Sequence, residues 1–169
     1  MPAFSVLYKA CALCAALLAS AFWHHGHILQ FIAAVRDALP RRLEKHYELR
    51  SESSKLFILA GDELPRYELI VRRKTRSVEI GLAFEGEASE AARRARSLAE
   101  RAVEIQAQLG PGVELEEQTK RRFRLYERVP VGGEEWRPKR DLTSTLAAQS
   151  AERLARFIEV LEPILGTKG

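Results

Sequence analysis

The stretch YELIVRRKTRSVEIGLAFE, residues 67–85, decides the fold, because it predicts two antiparallel strands that are neighbours in the sequence. In its second half an apolar row alternates with a row that includes two glutamates: Val78, Ile80, Leu82 and Phe84 against Glu79, Gly81, Ala83 and Glu85. Alternation with a period of two is typical of a strand with one buried face. No Asn-Gly or Asp-Gly pair is present, so a four-residue loop around residues 74–77 is favoured. A two-stranded hairpin is marginal alone, so other elements must cover its apolar face.

The flanking sequence predicts the elements that supply this cover. In chain order they are a helix over residues 28–47 that kinks or splits at Pro40, a strand over 55–60, a helix over 88–109, strands over 113–117 and 121–129, and a helix over 141–163 that Asp141 caps. Residues 50–54 (RSESS) are expected to be a turn or linker. The order αβββαββα predicts a two-layer α+β fold, with an antiparallel sheet of about four to five strands covered by helices.

The expected core lies between this sheet and the helices over residues 88–109 and 141–163. The length of the chain fits one domain, which we place at residues 27–169. Eight large apolar side chains are expected to be buried in it: Leu82, Phe84, Leu98, Ile105, Phe123, Phe157, Ile158 and Leu161.

Residues 1–26 form a separate apolar segment, with no charged residue from Ala10 to Trp23. Three interpretations compete. The small residues at 19–21 fit the cleavage site of a secretory signal, but Lys9 is the only basic residue before the apolar run. A membrane anchor over residues 6–23 is short, and the basic residues after it would favour a cytoplasmic C-terminal domain. An extension or buried helix is the third. We expect a cytoplasmic protein, with the membrane-anchored and exported forms as alternatives.

Charge and cysteine usage narrow the function classes. The net charge is +4, of which residues 1–50 carry +3 and residues 51–169 only +1. A large phosphate-binding field is therefore not built into the folded part. Both cysteines, Cys11 and Cys14, lie in the apolar segment, so no disulfide framework stabilises the core.

No catalytic motif rises above background, and the sequence favours a non-enzymatic protein over an enzyme. Asp62 could be the first acid of a restriction-type nuclease, but neither hairpin strand supplies the Glu-x-Lys that would follow. His24 and His27 have helical spacing, yet no third or fourth metal ligand clusters with them. Cys11 and Cys14 lie in an apolar run rather than in a redox context. We expect no cofactor and no metal.

Clusters of basic residues are the remaining candidate site. The candidate partner or nucleic-acid contacts are Arg72, Arg73, Arg122, Arg124, Tyr126, Trp136, Arg137 and Lys139. If the basic residues converge on one face with an aromatic exposed among them, the aromatic could stack bases while the cations hold phosphates. If acidic residues interleave, the surface favours protein contacts, because a row of Glu beside a row of Arg suits cross-strand pairs.

From about residue 28 to 165 the chain resembles uncharacterised bacterial α+β domains of the type found near restriction-modification genes. The resemblance rests on VEIGLAFE (78–85), QAQLG (106–110), VELE (113–116), RRFRLYERV (121–129) and ARFIEVLEPIL (155–165). None of these segments is a catalytic signature, so the resemblance implies no activity.

The expected function is a non-enzymatic interaction or regulatory module of bacterial type, which binds a protein partner or associates with itself. The alternative is a nucleic-acid-associated accessory protein that binds through the Arg-rich strands and loop. Contact with a membrane is expected only through residues 6–23.

Overall fold

The computed structural model of the protein describes residues 26–60, 65–132 and 144–166. In chain order the elements are α1 (residues 26–38), a short 3₁₀ helix (Leu43–Lys45), β1 (Glu48–Glu52), β2 (Lys55–Leu59), β3 (Arg66–Arg72), β4 (Ser77–Glu85), α2 (Ala88–Glu100), α3 (Ala102–Leu109), β5 (Val113–Thr119), β6 (Arg122–Pro130) and α4 (Ser144–Leu165). Helices and antiparallel strands segregate, which confirms the α+β class.

The predicted hairpin lies at the centre of one six-stranded antiparallel sheet of order β1-β2-β3-β4-β6-β5. Strand β4 pairs with β3 on one side and with β6 on the other, so that Leu82 has Tyr67 and Leu125 as its two neighbours. The connection between β3 and β4 is the four-residue turn 73–76, in which Arg76 takes a left-handed φ of 48°. This turn has the expected length and lies one residue earlier than predicted.

One face of the sheet packs against the helices. All eight residues predicted for the core are buried, and they belong to one continuous apolar cluster with residues of α1 such as Phe31 and Val35. Phe84 of β4 and Phe123 of β6 stack with their ring centroids 5.7 Å apart. Burial of this face is the main favourable term in the stability of the fold.

The predicted strand count of four to five was slightly low, because strand β1 was missed. Its sequence, ELRSE, is polar, and only Leu49 among its five residues is partly buried. The strand lies at the edge of the sheet and pairs with β2 alone, through a tight turn in which Ser53 has a φ of 49°. An edge strand that buries little shows no apolar alternation, so its sequence resembles a linker.

The helices also depart from the predicted order. Pro40 splits the first helix, because α1 ends at residue 38 and only the short 3₁₀ helix follows. The predicted helix 88–109 is broken at Arg101 (φ −104°, ψ 14°), which leaves Ala102 exposed although Ile105 and Leu109 are buried. Helix α4 continues through Pro163 to Leu165, and its predicted cap Asp141 lies outside the described residues.

Within the described parts of the chain, no helix is long and apolar enough to cross a membrane. The apolar run 6–23 lies outside those parts, and so do the candidate contacts Trp136, Arg137 and Lys139. The three interpretations of the N-terminal segment therefore stay predictions.

Candidate binding face

The second face of the sheet carries charged side chains that are buried. Glu68 on β3, Glu79 on β4 and Arg124 on β6 are exposed by only 0%, 3% and 1%. The alternation had predicted a half-buried β4, and this is wrong, since eight of its nine residues are buried. The second face is closed by charged residues that pair with one another, which an apolar-polar pattern does not reveal.

The register of the strands brings these residues together. Glu68 lies opposite Gly81, and Gly81 lies opposite Tyr126 in the next strand. Two residues before Gly81 on the same strand, Glu79 is paired with Arg128, and two residues after it, Ala83 is paired with Arg124. Because side chains alternate between the faces with a period of two, all of these positions point to the same side.

Gly81 allows this face to close. A Cβ atom at this position would lie 2.2 Å from the carbonyl oxygen of Leu125 and 2.6 Å from Cα of Tyr126. Only glycine fits so close to a neighbouring backbone. No side chain therefore lies between Glu68 and Tyr126, and the guanidinium of Arg124 contacts both Glu68 and Glu79.

Three arginines converge on Glu79. The Nη1 atom of Arg124 and the Nε atom of Arg72 each donate to Oε2 of Glu79 at 2.9 Å. The Nη2 atom of Arg128 donates to Oε1 of the same carboxylate at 3.1 Å. These are charge-assisted hydrogen bonds of normal length, so they hold the guanidinium groups in place.

Glu68 is the second carboxylate of the cluster. It accepts from Nε of Arg124 at 2.5 Å, while Nε of Arg66 and Nη2 of Arg122 lie 3.7 and 4.0 Å from its Oε2. We call the set Arg66, Arg72, Arg122, Arg124, Arg128, Glu68 and Glu79 the arginine network. Five arginines surround these two buried carboxylates, and three further acidic residues lie on the same face: Glu85 beside Arg122, and Glu114 and Glu116 across from Tyr126 and Arg124.

Glu79 and Arg124 are each held in the charged form by their partners. Burial alone would raise the pKa of Glu79, but the hydrogen bonds from Arg124 and Arg72 outweigh it and hold that pKa below its usual value. Burial alone would lower the pKa of Arg124, but Glu68 and Glu79 raise it. Glu79 and Arg124 are therefore both charged at neutral pH.

Tyr126 is part of this face and is nearly covered. It is 5% exposed, and the guanidinium carbons of Arg124 and Arg128 lie 4.7 and 5.9 Å from the centre of its ring. Such cation–π contacts use the ring face that a nucleic-acid base would need. The acidic residues Glu114 and Glu116 of β5 lie directly across from Tyr126 and Arg124.

A cleft of about 470 Å³ opens beside the network at the turn between β3 and β4. We call it the turn cleft. Its lining residues are Val71, Arg72, Arg73, Lys74, Thr75, Glu79, Glu116, Gln118, Arg124 and Arg128.

The structure brings five of the predicted contact residues to this face. Arg72, Arg122 and Arg124 belong to the arginine network, and Arg73 lines the turn cleft. Tyr126 is there but buried. Sequence reasoning missed four members: Arg66, Arg128, Glu68 and Glu79. The available signal was that Glu79 and Arg124 occupy the polar rows of two strands that the pattern had already placed in one sheet.

No group of three or more His, Cys, Asp or Glu residues suited to a metal ion occurs in the described ranges. A scan against models of known protein families gives no match, and a search of curated proteins gives no significant one. The resemblance to domains found near restriction-modification genes therefore stays a prediction, and the function must be argued from the site itself.

Proposed function

We propose that this protein is a non-enzymatic interaction module, and that its arginine network binds an acidic segment of a partner protein. The observation that supports this is the pair of arginines, Arg72 and Arg128, that are exposed to solvent while the buried Glu79 holds them in place. Acidic side chains of a partner would pair with these two guanidinium groups, because arginine binds carboxylates through two parallel hydrogen bonds.

Two arginines of the network can be reached from solvent. The side chains of Arg72 and Arg128 are 41% and 52% exposed, although each donates to the buried Glu79. A guanidinium that is already held by one carboxylate loses less conformational freedom when it binds a second one. These two residues are therefore preorganised contacts for the partner.

The same face suits nucleic acid less well. Arg124 and Arg128 occupy the ring of Tyr126, and Glu116 lies across from Arg124. Acidic residues at such positions repel a phosphate backbone, while a partner with both acidic and neutral side chains tolerates them. An acidic protein segment is thus favoured over DNA or RNA.

The test compares two variants that lose the same charge. A short fluorescent peptide in which glutamate alternates with neutral serine is titrated with the wild type, with Arg72→Gln/Arg128→Gln and with the control Arg36→Gln/Arg96→Gln, whose exposed arginines lie on α1 and α2. The first variant should bind about tenfold more weakly or worse, because it loses the two guanidinium groups that Glu79 holds ready for bidentate contacts with the peptide. The control should bind like the wild type.

A duplex DNA of unrelated sequence is titrated in parallel over a range of salt concentrations. Equal weakening in both variants would contradict the proposal, because it would show a general charge effect. The proposal would also be contradicted if the protein bound DNA more tightly than the peptide. In that case a plot of log binding constant against log salt concentration should have a slope of roughly −4 to −5, as six phosphate contacts would give, and the nucleic-acid alternative would be favoured.

A further inference from the structure

The outer edge of strand β5 is open to solvent. Within the described parts of the chain β5 pairs with β6 alone, and six of its seven residues, all but Val113, are exposed. In an antiparallel ladder every second residue of an edge strand points its backbone N–H and C=O away from the sheet. The pairing with β6 is regular from Val113 to Glu117 and becomes irregular only at the step to Thr119. This regular stretch is therefore available to an added strand.

The two rows of side chains along β5 differ in character. Glu114 and Glu116 lie on the face of the arginine network, whereas Val113 and Leu115 lie on the helix-covered face. Leu115 lies opposite Leu125, which is 5% exposed, but Leu115 itself is 37% exposed. An apolar side chain on an added strand would cover Leu115 and extend the apolar face of the sheet.

The glutamates of β5 have few partners. The side chains of Glu114 and Glu117 form no ion pair or hydrogen bond with the described residues. Glu116 accepts one long hydrogen bond, from Nε2 of Gln118 at 3.4 Å. An acidic row therefore runs along the open edge, and its carboxylates are available to the side chains of a neighbouring strand.

The basic residues near this row lie on its inner side or beyond its end. Arg124 lies opposite Glu116 and Arg128 lines the same cleft, but both are on β6 and both donate hydrogen bonds to Glu79. The basic residues 120–121 follow the irregular step at the end of the strand. A strand with basic side chains would therefore gain cross-strand ion pairs that β6 does not supply to the outer side of β5.

A second copy of β5 is a poor partner for this edge. In an antiparallel pair centred on Leu115, Glu114 of one copy would lie opposite Glu116 of the other. In a pair centred on Glu116, the two copies of that residue would lie opposite each other. Like charges directly opposite one another destabilise a sheet. The edge is therefore suited to a strand of the opposite charge rather than to self-association.

We propose that β5 binds an extended segment of a partner protein as a seventh antiparallel strand, and that this segment alternates basic with apolar side chains. The basic side chains lie opposite Glu114 and Glu116, and the apolar ones opposite Val113 and Leu115. In this mode of recognition the backbone hydrogen bonds supply affinity and the alternating side chains supply specificity. No residue of the arginine network takes part, so the inference does not rest on the proposed function.

The experiment begins with the acidic row. A short fluorescent peptide in which lysine alternates with valine is titrated with the full chain, with Glu114→Gln/Glu116→Gln and with the control Glu44→Gln/Glu100→Gln, whose glutamates are exposed on other elements. The first variant should bind about fivefold more weakly than the wild type, because it loses two cross-strand ion pairs. The control should bind within about twofold of the wild type, because distant exposed charges contribute little.

A second arm tests the backbone contacts. Two further peptides carry N-methyl groups on their backbone nitrogens, one on every valine and the other on every lysine. Only one of these two sets of N–H groups can face β5, since alternate residues of a strand point to opposite edges. One methylated peptide should therefore bind at least about tenfold more weakly, because it loses several hydrogen bonds, and the other should bind like the parent peptide.

Three results would overturn the inference. The first is no binding of the parent peptide at concentrations up to about 1 mM. The second is equal weakening in the β5 variant and its control, which would show a general charge effect. The third is the same response of the two methylated peptides, which would show that the contact is not a strand pairing. In the first case the glutamates of β5 only keep an edge strand from pairing, as charged residues do at many sheet edges.

Discussion

Backbone atoms of β6 fill the space beside Gly81, so this residue can have no side chain. A Cβ atom there would lie 2.2 Å from a backbone oxygen, closer than any relaxed contact. The substitution Gly81→Ala must therefore push β4 and β6 apart. We expect it to lower the free energy of unfolding by about 3 kcal/mol or more, at the upper end of what overpacking costs. Urea denaturation measures this loss.

The matched control is Gly112→Ala in the turn before β5. An added Cβ at Gly112 meets nothing within 4 Å, and its φ is not in the left-handed region. This variant should be as stable as the wild type or slightly more stable, because alanine reduces the freedom of the unfolded chain. Similar losses in both variants would show that the close approach at Gly81 is not the cause.

Glu79 predicts how stability responds to acid. Because Arg124 and Arg72 hold its pKa below the ordinary value of 4.5, the folded state binds a proton less readily than the unfolded state. The stabilising contribution is therefore present above that value and is lost as the pH falls through the lower pKa of the folded state. Urea denaturation at a series of pH values below neutral should show this decline.

The variant Glu79→Gln separates this residue from the other carboxylates. It should be less stable at neutral pH, because the three guanidinium groups lose a charged acceptor, and its stability should fall less between neutral and acidic pH. Glu114→Gln, at an exposed position of β5, is the control and should keep the wild-type pH profile. A profile for Glu79→Gln that is parallel to that of the wild type would refute the role of Glu79.

At the scale of elements, the sequence predicts those strands and helices that bury a regular apolar stripe. The alternation over residues 67–85 identified β3 and β4, and the regular steps of α2 and α4 identified Leu98, Phe157 and Leu161 as core residues. Each of these elements buries one apolar stripe, so period and burial agree. The helix-covered side of the sheet could therefore be derived from the chain alone.

Elements that bury few apolar groups were beyond this reasoning. Strand β1 exposes most of its side chains, and only its pairing with β2 shows that it is a strand. The break at Arg101 interrupts a stripe whose spacing is regular on both sides. The buried pair of Glu68 and Arg124 joins residues 56 positions apart, and a pairing of that kind depends on the strand order, which the sequence did not fix.

At the scale of the whole molecule, the sheet separates two kinds of stabilisation. The helix-covered face is apolar, and the face opposite it is closed by the arginine network. Buried ion pairs add little net stability, because the cost of desolvating the charges offsets much of their attraction. Their main effect here is to fix the positions of the guanidinium groups. The charged face is thus suited to recognition, while the apolar face supplies the folding free energy.

The apolar packing of α1 predicts the behaviour of a shortened chain. Ile28, Phe31 and Ile32 are exposed by 2% or less, so the core already includes the helix that follows the N-terminal segment. We expect the chain 27–169 to unfold cooperatively, with a Tm within about 3 °C of the full chain, equivalent to less than about 1 kcal/mol. Calorimetry and near-UV circular dichroism of both chains measure this. An insoluble product, or one with helical signal but no fixed aromatic environment, would show that residues 1–26 contribute to the core.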